Sequence, residues 1–412
     1  MWRRDSRVAE AAPLQGLGLS QRALAIEPFY VMEIGKAAQA IEQSLQPGDA
    51  PLIRLNIGEP DAKAAPAVER AAQLAIARQD SAYTPALGLM ALRERISAWY
   101  ASRFGLAIAP ERIVLTAGAS AGLLLTCLAL FESGDEVLMP DPCYPCNRQF
   151  VRAADARPVL IPTQAQDRFQ LSVQQVQAHW TSHTRGVLLA SPSNPTGTSI
   201  HPEVLAGIHQ AVRERGGVTV VDEIYLPLSF DPLYGQSALA LGDEVVSINS
   251  FSKYFGMTGW RLGWVVVPPQ WVAPMERLAQ NLFICPSSIA QHAALACFEP
   301  ESLAEFEQRR SRFGQRRDAF IPALQAMGLT VPVVPDGAFY VWADASDWCR
   351  RKGLASSWDL SLAMLHQAHV AVTPGRDFSQ HEPGRYLRFS IANDLDELMQ
   401  AAQRLHHWID TP

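Results

Sequence analysis

A lysine among small hydroxyl residues makes the segment Ser250–Arg261 suitable for covalent chemistry on a carbonyl group. Lys253 follows the apolar, strand-like run Glu244–Asn249, and Arg261 lies eight residues after it. Burial at the end of a strand lowers the pKa of a lysine and makes its neutral amine available as a nucleophile. Such an amine can form a Schiff base, although a buried structural lysine is the alternative.

Two further strand ends carry residues that suit a pyridine ring. Asp222 follows the run Val218–Val221, and Tyr225 lies three residues later. An aspartate that keeps a pyridine nitrogen protonated turns the ring into an electron sink, and Tyr225 could reach a phenolic oxygen on it. For Asp222 alone, a salt bridge or a helix cap is the alternative. Asn194, in a turn after the run Gly186–Ala190, could donate to an anionic oxygen.

Other residues could bind a phosphate and a carboxylate. The segment Thr116–Ser120 joins a strand to a helix, whose first N–H groups suit phosphate, and Ser250 and Arg261 add a hydroxyl and a charge. Tyr144, just past a strand end, could stack on a ring, although a lone aromatic residue more often packs in the core. Arg388 lies on an apolar strand, where it is either a substrate carboxylate clamp or part of an internal ion pair.

The composition is that of a soluble globular enzyme. The chain has 412 residues, of which 48% are hydrophobic and 18% charged, and its net charge is −6. No dense basic run favours nucleic acid or an anionic membrane, and no apolar run reaches the roughly 20 residues of a membrane span. No secretory signal is evident, so we expect a cytoplasmic protein. Six scattered cysteines predict no disulfide framework. Cys143 and Cys146 form a Cys-x-x-Cys pair, but no second Cys or His pair at suitable spacing indicates a zinc site.

Strand-like runs alternate with helix-like stretches between residues 112 and 267. This alternation predicts a mostly parallel sheet with helices on both faces and ligands at the carboxyl ends of its strands. After about residue 285 the chain is helical, and a mixed segment follows, with strands predicted at Ala338–Trp342, Val370–Thr373 and Tyr386–Ile391. We therefore expect a flexible arm over residues 1–18, a large domain over 56–290, and a small domain formed by 19–55 together with 291–412.

Six motifs resemble those of the class I/II, fold-type I aminotransferases that depend on pyridoxal 5′-phosphate. They are Leu55–Asp61, Tyr83–Leu89, Asn194–Gly197, Asp222–Tyr225, Ser250–Arg261 and Pro335–Tyr340. The resemblance covers roughly residues 20–410. It implies an α/β fold in which helices sandwich a mostly parallel seven-stranded sheet in a large domain, accompanied by a smaller α+β domain.

The resemblance also implies a role for each candidate residue. Lys253 would hold the cofactor as an internal aldimine and move the proton between Cα and C4′, while Asp222 pairs with the pyridine nitrogen. The remaining cofactor contacts would be Asn194 and Tyr225 at O3′, Tyr144 on the ring, and Ser250, Arg261 and the amides of Ala119 and Ser120 at the phosphate. The substrate α-carboxylate would be bound by Arg388, Asn194 and Gly58. Tyr83 would reach the phosphate of a second subunit, which implies a homodimer.

The identity of the amino donor is less strongly indicated. Relatives that prefer dicarboxylates often carry a basic residue near the helix-start phosphate loop or donate one from the neighbouring subunit. This chain has Ser120 in that loop, and its segment Asn281–Pro286 is uncharged. Both features favour a neutral or apolar donor. We expect the substrate side chain to be surrounded by Ile34, Tyr144, Phe283 and Phe339. The turn Thr373–Phe378 departs from the family pattern, because Ser379 follows it where glycine is common.

Two other functions are compatible with the cofactor motifs. A C–S lyase or another elimination enzyme, or a cyclopropane-forming synthase, could use the same fold, since the cofactor supplies the reactivity and the pocket selects the bond. A cofactor-sensing regulator would need a DNA-binding module before the enzyme-like pattern. That pattern begins near residue 20, which disfavours a regulator.

Overall fold

The computed structural model describes residues 18–26 and 28–411, so most of the predicted N-terminal arm lies outside the described residues. The helices are α1 (Gln21–Ala25), α2 (Tyr30–Ser44), α3 (Pro66–Ala77), α4 (Met90–Phe104), α5 (Gly118–Leu130), α6 (Pro145–Ala153), α7 (Val173–His179), α8 (Pro202–Arg213), α9 (Val272–Leu282), α10 (Ser288–Ala294), α11 (Pro300–Ala326), α12 (Ser346–Lys352), α13 (Ser357–Ala368) and α14 (Leu395–Asp410). The strands are β1 (Ile53–Arg54), β2 (Ile113–Thr116), β3 (Glu136–Asp141), β4 (Arg157–Pro162), β5 (Thr184–Ala190), β6 (Val218–Asp222), β7 (Val246–Ser250), β8 (Gly263–Val266), β9 (Tyr340–Asp344), β10 (Val370–Ala371), β11 (Thr373–Pro374) and β12 (Tyr386–Ser390).

The central sheet has seven strands in the order β2-β8-β7-β6-β5-β3-β4. Strand β8 runs antiparallel to both of its neighbours, and the other pairs are parallel. Successive apolar residues of a strand point to opposite faces, so Leu188 and Val220 pack in one hydrophobic cluster, whereas Leu189 and Val221 pack in another. Helix α5 covers the first face and α8 covers the second, which confirms the predicted fold class.

A smaller sheet lies in the C-terminal part of the chain. Strands β11, β12 and β9 pair in an antiparallel manner, and β1 pairs in parallel with β10. One hydrophobic cluster runs from the central sheet into this region, with Trp264 and Phe251 at one end and Phe320 and Phe389 at the other. The segment before residue 56 thus joins the C-terminal strands, while the domain boundaries stay a prediction.

Several predicted elements differ from the structure. The predicted strand over Ala338–Trp342 begins only at Tyr340, because Ala338 has a φ of 58°, in the left-handed region that strands do not use. The helical stretch predicted after about residue 285 is interrupted early, because α10 ends at Ala294 and the chain continues as a 3₁₀ turn over Leu295–Phe298. Among the described residues, no helix has both the length and the apolarity needed to cross a membrane.

Candidate active site

The carboxyl ends of the central strands border a cavity of about 580 Å³. Ala190, Asp222 and Ser250, which are the last residues of β5, β6 and β7, all line it. The lining also includes most of the predicted site residues, namely Gly58, Ala119, Ser120, Tyr144, Asn194, Tyr225, Lys253, Arg261 and Arg388. The structure therefore brings together residues that are as far apart in sequence as 58 and 388.

Lys253 presents its amine inside this cavity. Its Nζ donates a 2.5 Å hydrogen bond to the carbonyl of Gly58. Burial lowers the pKa of Lys253 to about 8, and the charges of Arg388 and Arg261 add to this decrease, while Glu59 opposes it. A substantial fraction of the amine is therefore neutral, and so nucleophilic, at mildly alkaline pH.

Asp222 is a buried carboxylate at the end of β6. It accepts a hydrogen bond of 3.1 Å from the backbone N–H of Ile224. Burial raises the pKa of Asp222 to about 7, the negative charge of Glu223 adds to the increase, and Lys253 opposes it. Glu223 itself points away and is satisfied by the hydroxyls of Ser237 and Ser247. An anion with this environment is suited to a cationic ring nitrogen.

A hydrogen-bonded group surrounds Arg388. Its Nη1 donates to Asn194 Oδ1 at 2.8 Å, and its Nη2 donates to the carbonyl of Asn56 at 2.8 Å. The guanidinium lies 4.4 Å from the ring centroid of Tyr340, whose hydroxyl is 2.7 Å from that of Tyr225. Because these contacts fix the arginine from several sides, it can present its planar donors to a carboxylate. Sequence reasoning missed Asn56 and Tyr340, although they lie in the motifs Leu55–Asp61 and Pro335–Tyr340.

The start of α5 forms a corner of the cavity suited to an anion. Gly118 has a φ of 81°, and a Cβ at this position would lie 2.6 Å from Arg261 Nη2. Only glycine therefore permits the guanidinium to lie against the helix start. The hydroxyl of Ser250 donates to Ser252 Oγ at 3.0 Å, and Ser252, which was not predicted, also lines the cavity. Helix N–H groups, a guanidinium and two hydroxyls together fit a phosphate group.

The wall that surrounds the substrate side chain differs from the prediction. Ile34 and Phe339 are buried in the hydrophobic core and do not line the cavity, so the prediction for these two was wrong. Phe283 packs beside the central sheet and does not line the cavity of its own chain, and its contact with the substrate stays a prediction. Tyr144 does line the cavity. Helix α2 supplies the wall instead, through Met32, Gly35, Lys36 and Gln39. Their spacing of three and four residues is that of one helical face, a signal that the sequence carried.

Tyr83 and the cysteines lie apart from the cavity. The side chain of Tyr83 is 81% exposed and does not line the cavity of its own chain. Cys143 is buried, Cys146 is half-buried, and both are free thiols. Within residues 18–26 and 28–411, no cluster of three or more His, Cys, Asp or Glu residues could hold a metal ion.

Comparison with known proteins identifies the family. Residues 50–405 match the family described as aminotransferase class I and II. A valine–pyruvate aminotransferase of Mycobacterium tuberculosis is 37% identical over 93% of this chain and 97% of that protein. The crystal structure of an aminotransferase from Mycobacterium tuberculosis superposes with a TM-score of 0.90 at 36% identity, covering 96% of this chain and 100% of that one. Aspartate aminotransferase from Thermus thermophilus with maleate gives a TM-score of 0.87 at 30% identity, covering 95% and 99%.

These relatives are all aminotransferases, and none of them supports the lyase alternative. The superpositions on the solved structures cover nearly the whole of this chain. The chain therefore belongs to the class I and II aminotransferases and is a transaminase of fold type I.

Proposed function

We propose that this aminotransferase binds pyridoxal 5′-phosphate through Lys253 and moves an amino group from a neutral or apolar L-amino acid to a 2-oxo acid. The observation that carries the proposal is the convergence of the Lys253 amine, the Asp222 carboxylate and the Arg388 guanidinium on one cavity. Class I and II aminotransferases generally depend on this cofactor. When bound, it supplies an electrophilic aldehyde and a ring that withdraws electrons.

The residues present fit each part of the cofactor. The anion-binding corner formed by Arg261, Ser250 and the start of α5 suits the phosphate, and buried Asp222 suits a protonated ring nitrogen. The phenolic oxygen would be bound by Tyr225 and Asn194, and Tyr144 would stack on the ring. Ala119 and Ser120 would contribute their backbone N–H groups to the phosphate, while Lys253 Nζ would attach at the aldehyde carbon.

Lys253 and Arg388 would divide the handling of the substrate. The guanidinium of Arg388, oriented by Asn56 and Asn194, would bind the α-carboxylate and so fix the Cα–H bond of the amino acid. Gly58 leaves room beside this clamp, since a Cβ there would lie 2.9 Å from the hydroxyl of Tyr340. Lys253 Nζ, with its lowered pKa, would then accept the proton from the substrate Cα and donate it to C4′ of the cofactor.

The cavity wall supports a donor without a second negative charge. Phe29, Val31 and Met32 place apolar surface in it, and its two outer cations, Lys36 and Arg54, are both already paired with carboxylates. The relative from Mycobacterium tuberculosis named for valine and pyruvate agrees with this preference. The Thermus thermophilus relative named for aspartate represents the competing preference.

A half-reaction screen tests the proposed function. Cofactor-loaded enzyme is mixed with single L-amino acids, and the visible absorbance of the lysine-bound cofactor is followed. We expect valine, alanine or leucine to remove this absorbance and pyruvate to restore it, whereas Lys253→Ala should lack the absorbance and lose at least a thousandfold in turnover. Normal turnover by Lys253→Ala, or release of ammonia and pyruvate without a 2-oxo acid, would contradict the proposal. A donor preference for aspartate would contradict only the donor class.

A further inference from the structure

An ion pair occupies the outer wall of the substrate cavity. Arg54, at the end of β1, lines the cavity, and Glu42, on α2, binds it in a bidentate manner. Arg54 Nε donates to Glu42 Oε1 at 2.7 Å, and Arg54 Nη2 donates to Glu42 Oε2 at 2.6 Å. The side chain of Arg54 is 24% exposed and that of Glu42 is 38% exposed, so solvent screens this pair only in part.

The position of Arg54 relative to the reacting groups follows from the chain. Arg54 and the segment from Asn56 to Glu59 line the cavity, whereas Leu55 between them is buried in the core. The carbonyl of Gly58 accepts from Lys253, and that of Asn56 accepts from Arg388. At most about 7 Å separates the Cα atoms of residues 54 and 56 in an extended chain. Arg54 therefore lies on the same stretch of cavity wall as the carbonyl groups that contact Arg388 and Lys253.

An unpaired arginine at this point would bind an acidic substrate side chain, because its planar donors match a carboxylate. Here Glu42 already uses Nε and Nη2, and the pair carries no net charge. The pKa of Glu42 is lowered by its hydrogen bond to Arg54, and the pKa of Arg54 is raised by the same bond, so both stay charged at neutral pH. An incoming carboxylate would find only the N–H donors that Glu42 leaves on Arg54 and would meet the repulsion of the Glu42 carboxylate.

We propose that Glu42 is a specificity-determining residue that withholds Arg54 from acidic substrates and so biases the enzyme towards neutral amino acids. This inference rests on the proposed function, and it extends that function by assigning the discrimination to one ion pair. Removal of the Glu42 charge should expose a positive charge in the wall and admit substrates with a second carboxylate, such as aspartate and glutamate.

Glu42→Gln tests the inference through a gain of reaction. We expect the second-order rate constant for aspartate in the half-reaction to rise about tenfold, with that for valine changed less than twofold. The gain should shrink as salt is raised from 0.05 M to 0.5 M, because it depends on one charge. The dissociation constant of succinate, an unreactive dicarboxylate measured by its perturbation of the cofactor absorbance, should fall by a similar factor.

Two variants serve as controls. Glu33→Gln removes the partner of Lys36, the other cation of this wall, whose side chain is 72% exposed and therefore well screened, so it should change the aspartate rate less than twofold. The double change Glu42→Gln with Arg54→Gln should lose the gain. If Glu42→Gln leaves both the aspartate rate and succinate binding unchanged, or raises the rates for all donors equally, the inference is wrong. If no amino acid reacts with the unaltered enzyme, it is the proposed function that fails.

Discussion

Asp222 is buried and faces the cavity. In the cofactor-free protein, ionisation of this carboxylate therefore lowers the free energy of unfolding. The Asp222 carboxylate is buried, and its pKa rises from 3.8 to about 7. The folded protein therefore binds the proton more tightly than the unfolded chain does. The stabilisation from this proton is complete below about pH 4 and is lost as the pH rises through about 7.

Asp222→Asn removes this titration. One pH unit of difference between the two pKa values corresponds to about 1.4 kcal/mol, so the unfolding free energy of the cofactor-free protein should fall by roughly 4 kcal/mol relative to the variant between pH 4 and pH 8. Urea unfolding of both proteins at several pH values measures this difference. The decline should be smaller with cofactor bound, because a ring cation stabilises the carboxylate. Parallel pH profiles for the two cofactor-free proteins would show that Asp222 is not the titrating group.

The sequence predicted the inner residues of the site better than its outer wall. Lys253, Asp222 and Asn194 follow strands, and parallel strands bring their carboxyl ends to one edge, so their proximity could be predicted. The residues of the substrate wall could not be predicted in this way, because their exposure to the cavity depends on how α2 packs onto distant residues. Ile34 lies on α2 but faces the core, and its neighbour Gly35 faces the cavity, which only the helix rotation decides.

At the scale of elements, the N-terminus of α2 is held by a turn from the far end of the chain. Asp377, 1% exposed, accepts hydrogen bonds of 2.6 Å from the backbone N–H groups of both Tyr30 and Val31. The guanidinium of Arg376 lies 3.9 Å from the ring centroid of Tyr30. Helix α2 has no side-chain cap at its own N-cap residue, Phe29, so Asp377 provides the missing acceptors. This contact fixes the helix that forms the substrate wall.

Asp377→Ala should therefore affect both stability and substrate binding. We expect a loss of about 1–2 kcal/mol in unfolding free energy, typical of a lost helix cap, and a rise of about fivefold or more in KM for the amino donor. The absorbance of the bound cofactor should stay the same. Urea unfolding and steady-state kinetics measure the two effects.

Asp394→Ala provides a matched control for this element. Asp394 caps α14 by accepting from the N–H of Glu397, and α14 does not line the cavity. The control should lose a similar stability without a change in KM. If both variants changed KM equally, the effect of Asp377 would be one of general stability and not of the position of α2.

At the scale of the whole molecule, Tyr83 is a motif residue without a place in its own site. Tyr83 is 81% exposed in the single chain, and it can contact a cofactor phosphate only if a second subunit packs against it. We propose a homodimer in which Tyr83 of each subunit reaches the cofactor phosphate of the other. Aminotransferases of this family are typically dimeric, which supports the proposal.

Mixed dimers test this arrangement. Lys253→Ala and Tyr83→Phe should each lower activity as pure dimers, the first almost completely and the second through weaker cofactor binding. A mixed dimer should contain one site with both native residues, so mixing the two variants should raise cofactor affinity and activity above the mean of the separate samples. Activity equal to that mean, after subunit exchange has been shown by mass, would place Tyr83 in its own subunit's site or outside any site.

The pairing of α2 and β1 with late segments of the chain has a consequence for the order of synthesis. Helix α2 packs against α13, β10 and β11, and β1 pairs with β10. Asp222 and Lys253, with the strands β6 and β7 that position them, are made before all of these partners. On a ribosome, the strands that position Asp222 and Lys253 can therefore pair while helix α2, which forms the substrate wall, still lacks α13, β10 and β11. The enzyme can acquire substrate selectivity only after residues 357–377 have emerged and joined a helix made more than three hundred residues earlier.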